Sequence, residues 1–117
     1  MTSCAPAVAL LAAIFLAAAP AMAGPTLASR IGSTCTVAKN LPFGITADDA
    51  LEAVRSAEHR DAANVFALVR AGRITGIPEN VTARVLDSDW TKDALKVCIL
   101  SGPALGRELW IFHGFCT

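Results

Sequence analysis

The sequence predicts an α+β fold, with one or two short helices packed on a small, mostly antiparallel β-barrel that follows them. Three observations predict it. Apolar residues recur at helical spacing across residues 46–71, between good helix start and stop residues. From Gly72 onward the pattern changes to short alternating runs joined by brief turns. Cysteines at 35, 98 and 116 supply the covalent staple that a domain this small often needs.

Residues 1–23 read as a cleaved signal peptide. An unbroken apolar run from Ala7 to Ala19 is too short for a membrane span, and Ala21-Met22-Ala23 offers small residues ahead of Gly24. The opening "MTSC" carries no Lys or Arg, which is atypical of such leaders and leaves an uncleaved N-terminal anchor as the alternative. Cys4 lies too early for a lipidation cysteine and is expected to leave with the peptide. The 10 basic and 10 acidic residues all lie beyond Ala23, so there is neither a basic excess for nucleic acid nor an acidic tail. The rest divides into an extended N-terminal arm, 24–45, with a short strand at "TCTVA", and a single domain, 46–117.

Thr46 is a good N-cap with Asp49 at the third helical position, and Asp48 and Asp49 both suit the positive end of a helix. Leu51, Val54, Ala62, Val65, Phe66 and Val69 approximate one apolar stripe. Polar "SAEHRD" interrupts it, and Asp61 can cap a second helix over 62–71 that Gly72 ends. Next come "RITGI", a turn at Pro78-Glu79-Asn80, and "VTARVLD" with Val81, Ala83 and Val85 on one face. "ALKVCIL" places Leu95, Val97 and Ile99 inward, Lys96 and Cys98 outward. "GRELWIF" closes a hairpin with it across "SGPALG". Strands this short and closely linked hide their edges best by curling into a barrel, which the helices would cover at one end.

The wording of residues 76–111 resembles the bacterial Src homology 3-like domains of exported proteins. Val85-Leu86, the run from Lys96 to Pro103, Gly106-Arg107 and Trp110-Ile111 carry the likeness. It implies the small barrel and says little about function, since such barrels host unrelated ligands. After Ile111 the chain reads "FHGFCT" where those domains often continue with Pro and an aromatic, and it contains no Tyr to line a peptide groove.

Trp90, in the polar loop, and Trp110, on the last strand, are the candidate ring platforms, with Asp89 and Arg107 as polar companions. The bland reading packs Trp110 over the hairpin and Trp90 over the barrel mouth. Asp87, Asp89 and Asp93 lack the glycine and glutamate of a calcium loop: Lys92 and Cys98 occupy those places. No Ser-His-Asp order or nucleophile elbow surrounds His59 or His113, so no catalytic set is assigned and no metal or cofactor is expected. Asn80-Val81-Thr82 is a formal glycosylation acceptor, but a turn role explains Asn80.

Centring the hairpin near Ala104 puts Cys98 opposite Trp110 and Cys116 ~20 Å further along the strand. The expected disulfide is therefore Cys35–Cys116, with Cys35–Cys98 as the alternative. In the chain-entropy model the first is worth ~4 kcal/mol. Cys98 is then a leftover thiol, which the helical stripe of Val54, Val65, Phe66 and Val69 is expected to bury.

These readings describe a monomeric, exported, non-enzymatic module, periplasmic or secreted in a bacterium. It contacts a protein or cell-envelope component through its loops. The alternatives are an inhibitor or immunity-type protein that inserts the loop 87–93 into a partner enzyme, and, last, a hydrolase.

Overall fold

The computed structural model describes Cys4 and residues 26–117; apart from Cys4, the expected leader lies outside the described residues. A 3-10 turn, Leu27–Arg30, leads into β1 (Thr34–Val37) and β2 (Pro42–Gly44). Then come α1 (Ala47–Glu58) and α2 (Ala62–Arg70), followed by β3 (Ile74–Gly76), β4 (Val81–Asp89), β5 (Ala94–Ile99) and β6 (Glu108–Phe112). The strands form one antiparallel sheet of order β1-β4-β5-β6-β2-β3. The α+β class with two helices is thus as expected. The stretch 24–45 is not a plain arm, since its described part contains a 3-10 turn and two strands.

The local signals act as the sequence suggests. Thr46 Oγ1 accepts from Asp49 N (3.1 Å) while Asp49 Oδ2 accepts from Thr46 N (3.2 Å), a complete capping box. Asp61 caps α2 through Asn64 N (3.0 Å), and Gly72, at φ +75°, follows its last residues in the left-handed region.

The sheet is strongly curled, and a connection forces the curl. β1 and β2 are four positions apart in the strand order, ~19 Å across a flat sheet. Yet only residues 38–41 join them, and these form a turn, with Leu41 N donating to Ala38 O (3.4 Å) and Asn40 at φ +66°. The two edges must therefore approach. Asn40 N donates to Ile77 O (2.8 Å) and Lys39 N to Asn80 Oδ1 (2.8 Å), which ties the β1–β2 turn to the segment after β3. The expected closed barrel is not formed, because no β1–β3 pairing completes it. β3 has only three residues, and Pro78, two positions beyond it, has no N–H to extend the ladder.

The curl builds the core. Cys35, Val37, Phe43, Val81, Ala83, Val85, Leu95, Val97, Ile99, Leu109 and Ile111 fill the concave face in one buried cluster with Ile77, Ala104 and Cys116. Leu27, Leu41 and Phe115 pack against it. The outer face carries the helices. Gly44, Trp110 and Lys96 are register partners and so share that face. α1 starts directly over Gly44: a Cβ there would lie 2.8 Å from Thr46 O and closer still to Ala50 N. Ala50, Ala53 and Ser56 are the buried positions of α1 beside Asp49, and Leu68 that of α2.

This corrects the predicted stripe. Leu51 and Val54 are only half-buried, while Phe66 is 61% and Val69 50% exposed. Small residues win because Gly44, Ala50 and Ala53 let helix and sheet backbones approach, which larger side chains would prevent. Cys98 is buried, but not beneath that stripe. Its sulfur stands at disulfide distance from Cys4, with Cα atoms 5.7 Å apart, so no described cysteine is left over. The hairpin register also differs by two residues. Cys98 faces Glu108, and Trp110 faces Lys96. Gly106, at φ +88°, donates to Ile99 O (2.8 Å) while Ile99 N donates to Arg107 O (3.0 Å), a bulge that recentres the loop.

Candidate functional site

The tip of the β4–β5 hairpin is a short loop built to hold one indole outward. Asp89, the last residue of β4, caps the 3-10 turn Trp90–Lys92: its Oδ1 accepts from Thr91 N (3.1 Å) and from Thr91 Oγ1 (2.5 Å). The Thr91 hydroxyl holds the Asp89 carboxyl below its ordinary pKa. Asp93 closes the turn at φ +54°, a left-handed conformation that Asp tolerates. Lys92 Nζ pairs with Asp48 in the first turn of α1 and is held above its ordinary pKa by that hydrogen bond. The loop is thus pinned at its base to the helix. Trp90 stays 77% exposed at the tip.

The remaining candidates do not join it. Trp110 is half-buried in the middle of β6, opposite Lys96 and Gly44. Arg107 is exposed and pairs with Ile99, five residues or ~17 Å along β5 from Ala94, where the Trp90 loop ends. Asp89 is absorbed by its cap, so its first role is to shape the loop. The four residues therefore divide into Trp90 with Asp89 at one end of β5, Trp110 beside its middle, and Arg107 at its other end.

Neither histidine meets a carboxylate in the hydrogen bonds and ion pairs of the described residues. His59 Nδ1 lies 2.9 Å from Arg55 O at the end of α1, and the His113 ring packs on Phe112 with centroids 4.8 Å apart. Among the described residues no group of three or more His, Cys, Asp or Glu is placed to hold a metal. No helix among them is long and apolar enough to cross a membrane.

A second feature escaped the sequence reading. The elbow between α1 and α2 forms an open concavity of ≈ 350 Å³ lined by Ser56, Ala57, Arg60, Asp61, Ala62, Val65 and Phe66. The helical period by itself assigns Phe66 and Val69 to the core, but both are exposed. A nine-residue helix with Val65 and Leu68 on one side and Phe66 and Val69 on the other is apolar on both, and that was the available signal.

No protein-family model, curated protein or solved structure matches this chain.

Proposed function

We propose that this protein is a small exported, non-enzymatic binding module that contacts a protein or cell-envelope component through the loops of its sheet. The carrying observation is Trp90: an indole 77% exposed on a loop fixed by the Asp89 cap and the Lys92–Asp48 pair. A large side chain held out in a preordered loop loses little entropy on binding, the usual character of an interface hot spot. Two cysteine pairs at disulfide distance suit an oxidising, exported location. The Src homology 3-like wording of residues 76–111 supports a scaffold whose loops carry specificity. The residues flanking the indole, Asp87, Asp89 and Asp93 against Lys92, which pairs with Asp48, leave the loop acidic and favour a basic or polar partner surface. The same loop supports the second reading, an inhibitor that inserts it into a partner enzyme.

Pull-down on peptidoglycan against pull-down from periplasmic extract separates the two partner classes. Trp90→Ala is expected to abolish specific retention in whichever arm shows it, without loss of folding. Retention untouched by that substitution would remove the loop from the binding surface.

A further inference from the structure

We propose that the α1–α2 elbow is a second binding surface, one that receives an acidic amphipathic helical segment of a partner protein. The apolar part of the surface is a stripe along α2. Ala62, Phe66 and Val69 stand at i, i+4 and i+7 and so share one face, all exposed, with Phe66 reaching into the concavity. Packing within the domain does not use this stripe: the buried side of α2 is Leu68, with Val65 half-buried against Ala53 and Ile74.

The charges at its ends identify the occupant. Arg60 lines the concavity just before α2, and Arg70 closes the helix on the Phe66 side, one turn beyond it. The ion pairs among the described residues use Arg73, Lys92 and Lys96, and neither Arg60 nor Arg70. Two arginines thus bracket an apolar stripe ~11 Å long, by the helical rise from Ala62 to Val69. Asp61 lies in the same concavity, but its carboxylate is turned to the N-terminus of α2, where it accepts from Asn64 N (3.0 Å) and the positive helix end offsets part of its charge. A helix with large apolar residues at i, i+3 or i+4 and i+7, and Glu or Asp towards each end, matches both the stripe and its charges.

A membrane surface is the rival occupant and fits less well. Two arginines supply only weak attraction to anionic lipid, and a flat bilayer does not fill a concavity that one side chain can enter. This surface is also separate from the Trp90 loop, which meets α1 at Asp48, eight residues or ~12 Å along the helix from Ser56.

The test uses a designed helical peptide of about fifteen residues, with Leu at i, i+4 and i+7 and Glu flanks. A control peptide keeps the Leu positions and carries Lys flanks. Both are titrated onto the purified protein by fluorescence anisotropy, beside phosphatidylglycerol vesicles. The acidic peptide is expected to bind, and the Lys peptide at least about tenfold more weakly. Phe66→Ser is expected to weaken the acidic peptide about tenfold or more. Arg60→Glu combined with Arg70→Glu should reverse the preference between the two peptides. Unchanged thermal unfolding of these surface variants assigns the losses to the surface itself, and Trp90→Ala should leave peptide binding intact. Equal binding of both peptides, binding to neither, indifference to Phe66→Ser, or uptake by the vesicles alone would each overturn the proposal.

Discussion

Cys35, on β1, and Cys116, one residue from the end of the described chain, stand as a disulfide pair with Cα atoms 5.3 Å apart inside the concave core. The bond gathers what the sheet leaves open. β1 is an edge strand, and beside the cysteine Thr117 N donates to Thr36 O (3.0 Å). Arg30, in the 3-10 turn before β1, donates to the carbonyls of His113 and Cys116. Both ends of the domain are thereby drawn to the same rim.

Removing that link is expected to cost far more than removing a surface contact. A loop of sequence separation 81 corresponds to about 4.5 kcal/mol in the chain-entropy model, a large part of the stability of a domain this size. Cys35→Ser with Cys116→Ser should lower the denaturant midpoint accordingly and steepen the slope, because the unlinked unfolded chain exposes more surface. A loss under about 1 kcal/mol would show that the hydrogen bonds of Arg30 and Thr117 hold the rim closed without the disulfide.

Gly44 should be the least replaceable glycine of the fold, although its φ is not positive. Its demand is space: a Cβ would meet the backbone of Thr46, Asp49 and Ala50, which cannot yield as a flexible side chain can. Gly44→Ala is expected to destabilise the protein by about 2–4 kcal/mol, by lifting the start of α1 off β2 and β6. Gly76→Ala, where the nearest atom would be 3.7 Å away, should stay within about 1 kcal/mol of the parent. Thermal unfolding of the pair checks the contrast, and equal effects would refute the close-approach argument.

What could be read in the sequence follows from how far each signal reaches along the chain. Thr46, Asp49, Asp61 and Gly72 are local devices, each acting within about four residues, and they delimit both helices correctly. The strands after Gly72 are legible for the same reason: alternation is local, and it places Val81, Ala83 and Val85 on the buried face. β2 is invisible by comparison. It has three residues, one of them a large apolar, and Gly44 pairs with Trp110 far along the chain. The helix face was misread because an apolar period weights Val and Phe, whereas the sheet selects Ala50 and Ala53 for closeness. The candidate site was half legible. Trp90 in a polar loop announces exposure, but that Asp89 shapes the loop and that Arg107 lies at the far end depend on tertiary pairing.

The polar seam between helices and sheet gives the stability an acid limb. Arg73 Nε donates to Asp49 Oδ1 (2.6 Å) and its Nη2 to Glu52 Oε1 (2.7 Å), while Asn64 Nδ2 donates to Glu52 Oε2 (3.1 Å) and Ser56 Oγ (2.7 Å). Asn64 first and Arg73 next hold the Glu52 carboxyl below its ordinary 4.5. A carboxyl with a depressed folded value stabilises above its unfolded pKa, and that contribution disappears as pH falls through the folded value. Stability should therefore be flat near neutrality and decline below about pH 4.5, with Asp89 adding to the decline in the same sense. Asn64→Ala is expected to make this acid limb shallower, read from denaturant midpoints across pH. A limb unchanged by the substitution would place its origin in other carboxyls.

The thiol content should report how the chain begins. Cys98 is buried on the outer sheet face, and its sulfur is matched by that of Cys4, whose Sγ also lies 3.7 Å from Gly106 O in the β5–β6 loop. An oxidised chain that keeps Cys4 is therefore expected to show no free thiol, and its non-reducing peptide map should contain a Cys4–Cys98 pair beside Cys35–Cys116. A chain that begins at Gly24 has three cysteines, and one thiol at Cys98 should then titrate with maleimide. Intact mass fixes the first residue and thiol counting fixes the pairing, so the two measurements check each other. Two outcomes would refute this arrangement. One is a chain retaining Cys4 with a free thiol at Cys98 under oxidising conditions. The other is a chain beginning at Gly24 in which Cys98, rather than Cys35, is bonded to Cys116.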